Sequence, residues 1–349
     1  AMFRYFRKAL DFLSWFCNKK WYLLAGFMAA FLALSAFAIL NLSGCRSTAS
    51  EATREHKKIR VVASLFPQFD FARQIAGDRA EVDLLLPPGV ESHSFDPSPA
   101  DILRISSADV FLYTGKEMEP WADRIIDSVK GNGPGICDVS QGIDLLKTPC
   151  HHGEKCGSDE AGHYEEGHHH HHDHGFDPHI WLDPTLAAKM VDNIAAALCE
   201  LDPENRDYYQ ANAQNYRQKL LELDSKFTGM INASRRKAIV FAGRFAHLYF
   251  VNRYGLEYTS AFKGCSADSD PGVKRIAKII DFIRTRGVPV VYYEEASEPK
   301  VAGSISEQTG ARALPFYAIH NITKEQLSRG VTYLDLMSEN FENLKQGLN

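Results

Sequence analysis

Between about Thr185 and Ile231 the sequence reads as helix almost without a break, and on either side short apolar strands alternate with helices. The run is interrupted only at Leu201-Asp202-Pro203. From Glu204 to Lys226 it is polar, with leucines and tyrosines at three- and four-residue spacings, which predicts one long, partly exposed helix bridging two folded halves.

The flanking segments fit that layout. Upstream, "IRVVASL" suits a buried strand, "FPQFDFARQIAG" has helical period and stops at Gly77, and "AEVDLLLP" is the next strand. The loop "PPGVESHSFDPSP" leads into a helix marked by Ser98 as N-cap, Pro99 in the first turn and Asp101 three residues on. The strand "DVFLYTG" and an amphipathic stretch from Trp121 to Val129 follow. Downstream come "KAIVFAG", a helix to Tyr254, "LEYTSAF", a helix from Pro271 to Arg286, "VPVVYYEE", a helix from Pro299 and "ARALPFY". The expectation is an α/β protein: an N-terminal domain over 59–184, a bridging helical segment over 185–233, and a similar C-terminal domain over 234–349, with mostly parallel sheets. Such sheets bind ligands outside the carboxyl ends of their strands, so two facing domains make an interdomain cleft there.

Residues 1–45 read as a targeting segment: Arg4, Arg7, Lys8, Lys19 and Lys20 precede an apolar stretch from Trp21 to Leu42. It ends in Leu42-Ser43-Gly44-Cys45, which resembles a bacterial lipobox with Cys45 as the lipidated residue. An uncleaved anchor is the alternative, since about 20 apolar residues span a bilayer. Both place the remainder outside the cytoplasmic membrane, with residues 46–58 as a flexible tether. Residues 1–44 carry five basic side chains and one acidic one, so removing this net +4 takes the chain from −5 to −9. An acidic surface argues against nucleic acid and suits cations. Besides Cys45, the exported part holds Cys137, Cys150, Cys156, Cys199 and Cys265, an odd number that cannot all pair within the chain.

Several residues able to hold a metal fall at strand ends. His93 lies in the loop after "AEVDLLLP", His247 in the helix after "KAIVFAG", Glu294 and Glu295 end "VPVVYYEE", and His179 sits in "FDPHIWLDP". Imidazoles plus one carboxylate from four segments suit tetrahedral zinc. Asp177 and Asp183 bracket His179 and could orient its ring, although Asp183 reads better as the cap of the following helix. His320, in "IHNIT", is read as structural.

From Cys150 to Gly175 the sequence holds His151, His152, His163, His168, His169, His170, His171, His172 and His174 among Gly, Asp and Glu, with no hydrophobic period. A disordered loop is expected, able to gather divalent ions loosely as an auxiliary metal site. Its internal position and interleaved acids argue against a purification tag. His179, rigidly flanked, is the specific ligand.

"LLLPPGVESHSFDPSPADI", "DPHIWLDP", "RYGLEYTSAF", "SADSDP" and "ISEQTGA" together resemble landmarks of the zinc- and manganese-binding lipoproteins and periplasmic proteins that feed ABC importers, the cluster A-I metal-binding family, over residues 59–346. The acidic histidine-rich insertion resembles that of the zinc-uptake branch. The resemblance implies His93 and His179 as the first two ligands. It puts the third at Arg244, three residues before His247, which takes its place here as the candidate ligand. It implies a strand-end carboxylate, for which Glu295 is preferred and Glu294 is the alternative, because side chains alternate along a strand. It also implies a monomer that captures Zn2+ with high affinity outside the membrane and delivers it to an ABC transporter permease. A manganese-binding protein of the same class and a surface adhesin are the alternatives. No H-E-x-x-H motif supports a zinc hydrolase, so no enzyme is expected.

Overall fold

The computed structural model describes residues 58–129, 131, 133–148, 175–262, 272–294 and 300–349. The targeting segment with Cys45, nearly all of the tether, the histidine-rich loop with its nine histidines, Glu295, Cys150, Cys156 and Cys265 lie outside them.

Two four-stranded sheets share one topology. In the first, β1 (Ile59–Ala63), β2 (Ala80–Leu84), β3 (Val110–Tyr113) and β4 (Gly135–Asp138) lie in the order β2-β1-β3-β4. In the second, β5 (Ala238–Phe241), β6 (Glu257–Ser260), β7 (Val290–Tyr293) and β8 (Arg312–Pro315) repeat it as β6-β5-β7-β8. Every strand pair in both is parallel. Parallel strands need crossover connections and cover on both faces. That cover comes from α1 (Phe66–Ala76), α2 (Pro99–Ser106), α3 (Ala122–Val129), α4 (Pro184–Leu201), α5 (Arg206–Ala233), α6 (Leu248–Tyr254), α7 (Val273–Arg286), α8 (Lys300–Thr309), the short α9 (Lys324–Ser328) and α10 (Tyr333–Leu348).

The local signals hold. Ser98 accepts from the Asp101 amide while Asp101 bonds back to the Ser98 amide, completing a capping box at α2. Asp183 caps α4 through the Thr185 amide. Along α5, Tyr209, Ala213, Tyr216, Leu220, Leu223, Phe227 and Ile231 are buried at spacings of three or four. The 28 residues of α5 span about 42 Å at 1.5 Å per residue.

That length serves both halves. Near its start, Asn212 donates to the Ile75 carbonyl at 3.0 Å and the Tyr216 hydroxyl to Asp70 at 3.3 Å. Further along, Asp224 receives Arg253 at 2.7 Å and the Tyr254 hydroxyl at 3.0 Å, both from α6. The halves also share their interior. Val61 and Ala63 of β1 belong to the same continuous core as Ile239 of β5, Val290 of β7, α5 and α10. Alternate residues face outward into two smaller clusters, Val62 with Phe111 and Trp121, and Val240 with Val291 and Ile279. A shared core ties the carboxyl ends of the two sheets into one frame.

Candidate metal site

Three histidines meet where those strand ends face each other. His93 comes from the loop between β2 and α2, His179 from just before a 3-10 turn at Ile180–Leu182, and His320 from the segment after β8. One donor atom from each lies within 4.8 Å of the others. Ring centroids are 5.4 Å apart for His93 and His179, 5.1 Å for His93 and His320, and 4.8 Å for His179 and His320. Tetrahedral zinc with bonds of about 2.0 Å needs donors about 3.3 Å apart, within about 1.5 Å of the separation found here.

Each ring is held by a local device. The Asp177 carboxylate lies 2.8 Å from His179 Nδ1 and accepts the His179 amide at 2.9 Å. With Nδ1 as donor, the lone pair sits on Nε2, which is buried without a hydrogen-bond partner in the protein. Asp177 is itself fixed, because its carbonyl accepts the Tyr249 hydroxyl at 2.7 Å and its amide donates to the Leu146 carbonyl at 2.8 Å. His93 Nε2 is likewise buried without a hydrogen-bond partner. An unmet buried acceptor costs about 1–3 kcal/mol, so two of them on clustered rings fit a ligand that takes both lone pairs.

His320 follows Ile319, which has φ 61 and is the non-glycine residue with positive φ among the described ones. A β-branched residue rarely adopts that conformation, and here it turns the chain so that His320 enters the cluster. Its segment belongs to the C-terminal half yet is bonded to the N-terminal one. Trp181 Nε1 donates to the Ala318 carbonyl at 2.7 Å, and the Phe66 amide to the His320 carbonyl at 3.1 Å. The Gly89 amide donates to the Ile322 carbonyl at 2.9 Å, and Asn321 Nδ2 to the Pro87 and Val90 carbonyls at 2.8 and 2.9 Å.

Burial sets the protonation. It holds the His93 pKa down to about 3, aided by the nearby His179 ring and the Arg244 guanidinium, and pushes His320 well below the usual imidazole range. Neutral imidazoles keep the lone pairs a metal needs. Three nitrogen donors, mutually close and mostly shielded from water, suit zinc better than the oxygen-rich shells favoured by magnesium or calcium.

The expected residues divide. The structure brings His93 and His179 together and adds His320, for which the sequence predicts a structural role. His247 is wholly buried beside this group but not in it: its ring stacks on Phe241 at 4.6 Å and 17°, with Nε2 facing the Tyr317 carbonyl at 3.4 Å. It is the N-cap of α6 and so precedes the helix in which the sequence had placed it. Glu294 is buried at the end of β7 and also lies outside the three-donor group. Arg244, where the resemblance puts a ligand, instead pairs with Glu91 at 2.8 Å. The signal for His320 was its position in the loop after the strand "ARALPFY", as His93 lies in the loop after β2.

Residues 61–347 match the model of the ZnuA family, zinc-uptake complex component A periplasmic. The chain belongs to the ZnuA family. It is 34% identical over 330 residues to the high-affinity zinc uptake system protein ZnuA of Bacillus subtilis (strain 168), covering 95% of this chain and 98% of that one. It is 30% identical over 318 residues to the zinc-binding lipoprotein AdcA of Streptococcus pneumoniae (strain ATCC BAA-255 / R6), covering 90% of this chain and 60% of AdcA. The crystal structure of the Zn(II)-bound ZnuA-like domain of Streptococcus pneumoniae AdcA superposes with a TM-score of 0.68 at 27% identity, covering 83% of this chain and 99% of that domain. ZnuA-family membership and the paired parallel sheets agree with the fold expected from the sequence.

Proposed function

We propose that this chain is the extracytoplasmic zinc-binding component of a zinc-uptake system, capturing Zn2+ with high affinity in the cleft between its two halves and delivering it to an ABC transporter permease. The single observation that carries the reading is the convergence of His93, His179 and His320, one donor atom of each within 4.8 Å of the others, with the Nε2 atoms of His93 and His179 buried and without a hydrogen-bond partner. The ligand set we assign is His93, His179 and His320, completed by a carboxylate from the Glu294-Glu295 pair at the end of β7. His247 becomes part of the wall behind the site. A filled shell of this kind binds its metal and leaves no open position for an activated water, which suits transport and not hydrolysis. Cys45 serves as the lipid anchor, and the histidine-rich loop gathers ions outside the site.

Competitive titration of the full chain with zinc and manganese, beside a chain lacking residues 151–174, tests this. One tight zinc site, weaker for manganese and retained without the loop, is expected. Loss of tight binding on loop deletion would move the site into the loop and sink the cleft assignment.

A further inference from the structure

The segment between β2 and α2 reaches the site in two parts. Its stem, Pro87 to Val90, is bonded to the His320 segment through Gly89 and Asn321. Its tip, which carries His93, is held differently. The His93 amide donates to Glu91 Oε1 at 3.2 Å, and the other oxygen of that carboxylate accepts Arg244 Nη1 at 2.8 Å. Arg244 belongs to the β5–α6 connection, 153 residues away in sequence and in the opposite half. One carboxylate therefore joins the backbone of a metal-binding histidine to a cation across the cleft, with side chains 27% and 39% exposed for Arg244 and Glu91.

We infer that Arg244 and Glu91 form a cross-cleft clasp that positions the His93 tip and slows the release of bound zinc. This rests on the zinc reading above. Both groups are positioning residues, acting through His93 and not on the ion. Their charges separate this role from a purely electrostatic one. A guanidinium near a divalent cation repels it, so on charge alone removing Arg244 should tighten binding and slow release. The clasp predicts the opposite, because Glu91 freed from Arg244 no longer fixes the His93 amide.

The test is the zinc dissociation rate of the full chain, followed by stopped flow into excess chelator, with melting temperatures of the zinc-free forms alongside. Arg244→Gln and Glu91→Gln should each speed release about fivefold, the scale of a partly exposed ion pair. The double variant should be no faster than either single one, and Arg244→Lys should restore most of the slow release. Arg286→Gln removes an ion pair of equal length, with Glu257 at the opposite end of the second sheet, and should leave the rate unchanged. An unchanged or slower rate in Arg244→Gln, or an equal increase in Arg286→Gln, overturns the clasp. His179→Ala and His320→Ala keep the two ideas apart. If neither weakens zinc binding, the site reading fails and the clasp with it. If both do and Arg244→Gln does not speed release, only the clasp falls.

Discussion

Replacing His320 by alanine separates the three-histidine site from the alternative built on His247. The backbone anchors of the segment survive, because the bonds from Phe66 and Trp181 end on the carbonyls of His320 and Ala318. What is lost is one imidazole and its edge contacts with His93, His179 and Trp181 at 5.1, 4.8 and 5.5 Å. Protein zinc sites with four donors are worth about 10–16 kcal/mol, so an even share for one donor is about 3 kcal/mol, or about two orders of magnitude in Kd. Truncating a ring that is 8% exposed should also cost the zinc-free protein about 1–2 kcal/mol. The assay is competition against a chelator of known affinity, with His247→Ala measured in parallel. His320→Ala should weaken zinc about a hundredfold, and His247→Ala less than tenfold, through lost packing against Phe241, Phe245 and Phe316. A Kd for His320→Ala within threefold of wild type, with two orders lost in His247→Ala, would refute the assignment.

Two further outcomes follow from groups around the site. Asp177→Ala removes the acceptor that fixes the His179 tautomer and should weaken zinc about 10- to 100-fold in the same competition assay, with the fold retained; an unchanged Kd would show that the tautomer is set elsewhere. Glu119 is buried under Ser64 and Thr114, and burial raises its pKa to about 8 from an ordinary 4.5, so the folded protein holds a proton there that the unfolded chain releases. Its contribution to stability is fully present below about 4.5 and is lost as pH rises through about 8, on the order of a few kcal/mol. Glu119→Gln should flatten the decline in melting temperature over that window; an identical decline in both proteins would place its source elsewhere.

Much of the fold was written in local pattern. The central strands β1, β3, β5 and β7 are buried on both faces and read as short apolar runs, and the spacing along α5 marked the bridging helix. β4 escaped because an edge strand of four residues with two exposed carries no such run. The site was half legible. His93 and His179 sit in phrases with strong turn and cap residues, whereas nothing within "IHNIT" marks His320. Its place is set by bonds to Phe66, Pro87 and Trp181, all more than 130 residues away. His247 stands apart from the three-donor group for a definable reason. A three-residue offset from Arg244 means a shared face only on a helix, and α6 begins at Leu248, so those residues occupy an irregular connection.

The same distant bonds bear on how an ion gets in and out. Parting the halves would break five hydrogen bonds between the His320 segment and its surroundings at Trp181, Phe66, Gly89, Pro87 and Val90. At about 0.5–1.5 kcal/mol each they are worth roughly 3–7 kcal/mol, before any of the shared core is exposed. Among the described hydrogen bonds, lifting the tip that carries His93 breaks those made through Glu91, and it pulls Phe95 from its contact with Trp121; His93 is the least buried of the three histidines. Local exchange at this tip is therefore the cheaper route, and hydrogen exchange tests it. Amides from Glu91 to Phe95 should gain protection when zinc binds, while those of Gly89 and Ile322 and the Trp181 indole stay protected with or without it. Protection lost together at the tip, at Ile322 and at Trp181 in the zinc-free protein would mean that the halves separate as bodies and that the shared core does not hold them.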